Sequence, residues 1–281
     1  MDCQIFCRLI ACLLFIFPCV FAFSAEENFI LIDGVKEKTV LELGLNINKQ
    51  ISPCSTFKMT LSLMGYDAGI LKDENNPTWD FQEGYDDWLA SWRAPQTPKS
   101  WMQHSCVWYA KLLALELGLE KIQSYLALFE YGNQDISGGL AQPGPMNPPW
   151  INSSLKISPK EQVDLIQRMT RRKLSVSSHA LQMTRMICFK EELPEGWQLF
   201  GKTGWSGSDI GRDGKTLEFG WFIGWIEKDE MFFPFAYLIH EKQINLGQRI
   251  PRVKQLLLES NVMTASVLTS AWIFLNFQMP I

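Results

Sequence analysis

Apolar and polar positions along the chain follow two different rhythms. Phe29-Ile30-Leu31-Ile32 and Thr39-Val40-Leu41 read as two strands around a turn at Gly34. From Ser55 to about Thr184 the pattern is mainly helical, interrupted by polar and proline-rich loops. Residues 108–117 and 158–171 show the helical spacing most clearly. The latter carries its own start signal, with Ser158 at the N-cap, Pro159 at the first position and Glu161 at the third. Pro143 to Pro149 form a proline-rich loop leading into Trp150. After Trp197 the pattern returns to strands. Residues 219–226 and 231–239 are predicted to form a hairpin through Glu227-Lys228-Asp229-Glu230, and residues 252–259 a closing helix. Strands at both ends around a helical insert imply an antiparallel sheet assembled from the two termini.

The chain's two ends depart from this pattern. Residues 9–21 are apolar and lead into Ala22-Phe23-Ser24-Ala25, so residues 1–24 read as a secretory signal peptide with cleavage near Ser24 or Ala25. Arg8 in the leading segment is offset by Asp2. Residues 25–261 then form the mature domain, and residues 262–281 an uncharged, largely apolar tail with no evident role. Four of the seven cysteines lie in the leader, leaving Cys54, Cys106 and Cys188. That odd number without regular spacing argues for packing residues rather than a disulfide framework. At 281 residues, 47% hydrophobic and 20% charged, the chain can bury a large core and is not disordered. A net charge of −4 without a basic run excludes nucleic acid as an expected partner. His104, His179 and His240 have no metal-binding spacing, so no metal is expected.

Three short stretches carry candidate chemistry. In Ser55-Thr56-Phe57-Lys58 a helix start would bring Ser55 and Lys58 onto one face, a weak nucleophile beside a base. Lysine serves as a base only when it loses its proton near neutral pH, which burial favours. In Phe200-Gly201-Lys202-Thr203-Gly204, Lys202 and Thr203 offer a cation and a hydroxyl to a substrate carboxylate, and Gly204 leaves the strand edge clear for that substrate. Ser105-Cys106-Val107 places a third hydroxyl in the apolar stretch at 105–117, where it could pass a proton. Serine penicillin-recognising proteins combine Ser-x-x-Lys, Ser-Asp-Asn and Lys-Thr-Gly in that order; here Cys106-Val107 replaces Asp-Asn.

With that departure, the chain resembles the class D (OXA-type) serine beta-lactamases. Ser55-Thr56-Phe57-Lys58 is similar to the family's nucleophile motif, and Ser105-Cys106-Val107 to its Ser-x-Val. Tyr131-Gly132-Asn133 matches its Tyr-Gly-Asn, and Lys202-Thr203-Gly204 its Lys-Thr-Gly. Trp150 with Leu155-Lys156-Ile157-Ser158-Pro159 matches its tryptophan segment, and Trp221-Phe222-Ile223-Gly224-Trp225 its Trp-x-x-Gly strand. The resemblance implies an α+β fold of the serine beta-lactamase and penicillin-binding type. A five- or six-stranded antiparallel sheet flanked by helices would meet an all-helical lobe, with the active site in the cleft between them.

It also implies a role for each residue. Ser55 would form an acyl-enzyme, with the backbone N–H groups of Ser55 and Trp205 as oxyanion hole. Lys58 would be the general base as a carboxylated lysine made with carbon dioxide or bicarbonate, needing no other cofactor, and the indole N–H of Trp150 would steady it. Ser105 would relay the proton to the leaving nitrogen. Lys202, Thr203 and Arg249 would hold the substrate carboxylate, with Gly204 and Trp205 lining the strand, the Arg249 assignment resting on a loose Gly-x-Arg match at Gly247. Tyr131-Gly132-Asn133 could touch substrate or be an ordinary turn. The implied activity is hydrolysis of beta-lactam antibiotics, penicillins first, in the periplasm of a Gram-negative bacterium, giving resistance. Beta-lactams are the only partners expected; no stable membrane partner remains after leader cleavage, and the oligomeric state is open. The alternative reading is a sensor or penicillin-binding protein that is acylated and stays acylated.

Overall fold

The computed structural model describes residues 25–210 and 216–264; the leader at 1–24 and the tail from 265 on lie outside the described residues. Six strands form one antiparallel sheet in the order β2-β1-β6-β5-β4-β3: β1 Glu26–Asp33, β2 Lys38–Leu43, β3 Phe189–Glu192, β4 Gln198–Ile210, β5 Thr216–Lys228 and β6 Met231–Glu241. The N-terminal pair is thus joined to the C-terminal strands across β1 and β6, as the pattern predicts. The short edge strand β3 was not foreseen, because Phe189-Lys190-Glu191-Glu192 carries two acids and a lysine in four residues.

Between β2 and β3 lie six helices: α1 Phe57–Asp67, α2 Pro98–His104, α3 Val107–Leu117, α4 Leu119–Leu128, α5 Pro159–Thr170 and α6 Ser178–Cys188. The last, α7 Arg249–Glu259, follows the sheet. The two faces of the sheet are both buried, and the strand alternation sorts residues between them. Ile30, Ile32, Phe219, Trp221, Ile223, Trp225, Ala236 and Leu238 face the large core shared with the helical lobe. Phe29, Leu31, Phe222, Ile226, Phe235 and Tyr237 face a smaller core closed by Val253, Leu256 and Leu257 of α7. Val262 and Met263, assigned above to the tail, also lie in this core, and the indole of Trp197 donates to the Met263 carbonyl at 3.3 Å. The packed body therefore continues past Asn261. Among the described residues no helix is long and apolar enough to cross a membrane.

Helix α1 is buried along almost its whole length, Lys58, Thr60 and Ser62 included, the signature of a central helix. Any charged residue in its first turn is therefore carried away from water with no route back. Helix α5 starts as its sequence dictates: Ser158 caps the Glu161 N–H at 3.2 Å, and Glu161 accepts from the Ser158 N–H at 2.8 Å. Ser158 is buried, so Ser158→Ala is expected to cost about 1 kcal/mol and lower Tm by roughly 2–4 °C without changing turnover. Thermal melting by circular dichroism checks this, and an unchanged Tm would mean that the box contributes nothing.

Candidate active site

The nucleophile motif begins on a 3-10 turn, Cys54–Thr56, that runs directly into α1. Four groups hold this turn. The Cys54 N–H donates to the Trp150 carbonyl at 2.8 Å, and the Ser52 hydroxyl donates to the same carbonyl at 2.8 Å. The indole of Trp221 donates to the Ser52 carbonyl at 3.0 Å. Gln162 on α5 donates to the Thr56 hydroxyl at 3.0 Å. Cys54 itself sits at φ 49°, in the left-handed region, an uncommon backbone for a side chain of this kind.

On this turn the Ser55 hydroxyl meets the Lys58 amine at 3.0 Å. Lys58 is wholly buried, and burial pulls its pKa down to about 8. Cys54 and Cys106 also act on it, but burial pushes both thiols up to about 12, so at neutral pH they are uncharged and offset little. Lys58 is thus a base with a substantial neutral fraction near pH 7 to 8. Trp150 is buried and stacks on Phe57 with ring centres 5.1 Å apart. Its indole N–H has no acceptor in the structure, an expensive omission for a buried donor.

The second hydroxyl is positioned by a different device. Ser105 ends α2 in the left-handed conformation, φ 58° and ψ 31°, and this reversal turns its side chain toward β4. There the Lys202 amine donates to Ser105 Oγ at 3.0 Å and to the Thr203 carbonyl at 3.0 Å. Lys202 is buried, and burial, reinforced by Lys190, Lys58 and Arg249, holds its pKa well below that of an ordinary lysine. Lys202 is thus a buried donor poised on Ser105.

Gly204 also lies against the nucleophile turn. A Cβ there would stand 3.0 Å from the Pro53 carbonyl and 3.1 Å from Thr56 Cγ2. Its bareness lets β4 close against the nucleophile turn. Trp205, the next residue, is 43% exposed. Arg249, at the start of α7, donates to the Gly204 carbonyl at 2.5 Å and to the Leu246 carbonyl at 2.9 Å. Burial lowers its pKa to about 10, so it keeps its charge at neutral pH.

The Tyr131-Gly132-Asn133 segment supports the site from behind. Tyr131 packs edge-on against Phe57, and Asn133 accepts from the Lys156 N–H at 2.9 Å while donating to the Ser154 carbonyl at 2.8 Å. His104 lies against Gln96 at 3.2 Å, away from Ser105. Sequence reasoning missed one pair beside the site, Asp86 with Lys111. Its signal was legible: a lysine within the apolar helical stretch at 107–117 needs a buried partner.

The chain matches the penicillin-binding protein transpeptidase domain over residues 33–257. It is 36% identical over 212 residues to beta-lactamase OXA-9 of Klebsiella pneumoniae, covering 74% of this chain and 77% of that protein. It is 38% identical over 205 residues to beta-lactamase OXA-1 of Escherichia coli, covering 72% and 71%. The solved structure of the OXA-427 class D beta-lactamase superposes with a TM-score of 0.74 at 34% identity, covering 83% of this chain and 97% of that one.

Proposed function

The chain belongs to the class D serine beta-lactamases, and from that premise we propose that it destroys beta-lactams, penicillins foremost, through an acyl-enzyme on Ser55 with Lys58 as the one general base. The observation that carries this reading is the 3.0 Å contact between the Ser55 hydroxyl and a lysine with no access to water. Ser55 attacks the lactam carbonyl while its proton passes to the base. The backbone N–H groups of Ser55 and Trp205 face the negative charge that develops on the carbonyl oxygen. As the carbon–nitrogen bond breaks, Ser105, to which Lys202 donates, relays to the leaving nitrogen the proton that the base took from Ser55, and the base is left unprotonated. The substrate carboxylate supplies the anion that the cluster of Lys202 and Arg249 lacks, with Thr203 as a further donor. Water, activated by the same base, then releases Ser55. An enzyme so equipped confers beta-lactam resistance and belongs in the periplasm.

Lys58 is inferred to act as its carbamate. The neutral amine attacks the carbon of carbon dioxide, a carbon–nitrogen bond forms, one C=O electron pair moves to oxygen, and a proton leaves. Two features fit this group: an amine that burial keeps partly neutral, and the buried Trp150 N–H with no acceptor to satisfy it. The carbamate supplies an anionic base where a bare lysine would be a neutral one.

Because only the neutral amine reacts, and its pKa lies near 8, the carboxylated fraction at fixed dissolved carbon dioxide should rise as pH increases from 6 toward 8. Steady-state hydrolysis of a chromogenic cephalosporin is expected to increase on adding bicarbonate, and the bicarbonate required for half-maximal rate to fall with rising pH. Turnover indifferent to bicarbonate would remove the carbamate. A single stoichiometric burst without turnover would replace the hydrolase by a protein that stays acylated.

A further inference from the structure

Lys111 and Asp86 form an ion pair that water barely reaches, with side chains 1% and 2% exposed. Lys111 lies one turn along α3 from Val107 and spends all three of its N–H groups. Two go to Asp86, at 2.9 Å and 3.0 Å, and one to the Gly144 carbonyl at 2.7 Å. The Gly144 N–H returns to Asp86 Oδ2 at 3.1 Å. Both backbone groups of Gly144 are therefore held by one buried salt bridge. Gly144 belongs to the loop in which Pro143, Pro145, Pro148 and Pro149 stiffen the path to Trp150. At the far end of that path, the Trp150 carbonyl is held by Ser52 and Cys54. The loop is pinned twice, once to α3 and once to the nucleophile turn.

The pair also acts on Lys58, and its two members act in opposite senses: Asp86 favours the charged amine and Lys111 opposes it. The other titratable groups acting there are Cys54 and Cys106, both neutral near pH 7, and Lys202 across the cleft on β4. A buried ion pair is a poor source of net stability, which makes a positional role the better account of its presence.

We propose that the Lys111–Asp86 pair is a positioning element of the active site, fixing through Gly144 the loop that runs to Trp150 and the nucleophile turn, and setting two opposite charges near Lys58. The inference rests on the carboxylated-lysine reading for its bicarbonate readout, but not for its loop and pH readouts.

The test compares the mature chain with Asp86→Asn, Lys111→Met and the double variant. It measures the pH dependence of turnover, the bicarbonate giving half-maximal rate, the carbamate resonance with 13C-bicarbonate, and hydrogen exchange of the peptide covering 141–155. Asp86→Asn strands the Lys111 charge and should move the pH midpoint of Lys58 down by about one unit. Lys111→Met strands Asp86 and should move it up by about as much. The double variant should recover the wild-type midpoint while its loop amides exchange at least about tenfold faster and its bicarbonate requirement rises in proportion. Midpoints that stay put, or move the same way in both single variants, overturn the electrostatic balance; wild-type exchange in the double variant overturns the loop's dependence on the pair. If a single variant fails to fold, the double variant, which strands no charge, still decides through its exchange and bicarbonate requirement. A wild-type chain without a carbamate resonance defeats the carboxylated-lysine reading alone, and exchange and pH midpoints then judge the pair.

Discussion

Lys58→Ala is expected to lower kcat by roughly 10⁴, near the top of the range for loss of a general base. The size follows from the geometry. The Ser55 hydroxyl lies 3.0 Å from Lys58, and in the proposed mechanism that one group serves both Ser55 and the deacylating water. The two steps should suffer unequally. A strained lactam can still acylate an unassisted serine slowly, whereas the acyl-enzyme ester then meets an unactivated water. Intact-protein mass spectrometry of the variant should therefore show a slowly formed adduct with the mass of the intact antibiotic, which persists. If Ser55 and Lys58 act as a unit, as proposed, Ser55→Ala should be as inactive toward turnover as the double variant, yet form no adduct. Wild-type kcat in Lys58→Ala would dismiss Lys58 as the base. Full acylation with only deacylation lost would instead show that a second group serves the first step.

Much of this site was legible in the sequence because its chemistry is local. Ser55 and Lys58 are three residues apart, and the burial that a lysine base requires is reached, with Lys58 wholly buried. The capping box of α5 and the hairpin of β5 and β6 are likewise short-range signals; the box formed where it was expected, and the hairpin formed with a tighter turn, Asp229-Glu230, because Glu227 and Lys228 pair with Phe232 and Met231. What stayed hidden depends on contacts between distant segments. No local pattern says that Ser105 would reverse the chain at φ 58° to meet Lys202, ninety-seven positions away. Nor does one say that Gly204 would lie against Pro53 and Thr56. The Lys111–Asp86 pair shows the boundary well. A lysine in an apolar helix announces that a partner exists, but only the fold identifies Asp86 and Gly144 as the groups that receive it.

Gly224→Ala is expected to be the most damaging single methyl group in the sheet. Gly224 on β5 faces Gly201 on β4, the residue immediately before Lys202. A Cβ on Gly224 would stand 1.9 Å from the Phe200 carbonyl oxygen and 2.7 Å from the Gly201 Cα. Both are backbone atoms in the ladder, so no rotamer change relieves the clash and the two strands must separate. Overpacking of this kind costs about 3 kcal/mol, which for a domain of this size is a Tm loss of roughly 6–12 °C. Gly220→Ala provides the contrast four residues away on the same strand. Its new Cβ would meet only side-chain atoms, of Arg249, Ile239 and Ile244, at 3.0 Å or more, so its loss should be markedly smaller. The damage at Gly224 should reach the chemistry as well, because displacing β4 moves Lys202 from Ser105 and Gly204 from the nucleophile turn. Turnover measured well below the melting transition should therefore fall even where the variant is folded. A Gly224→Ala protein with wild-type Tm and kcat would mean that β4 and β5 do not pair in this register, and the placement of Lys202 beside Ser105 would go with it.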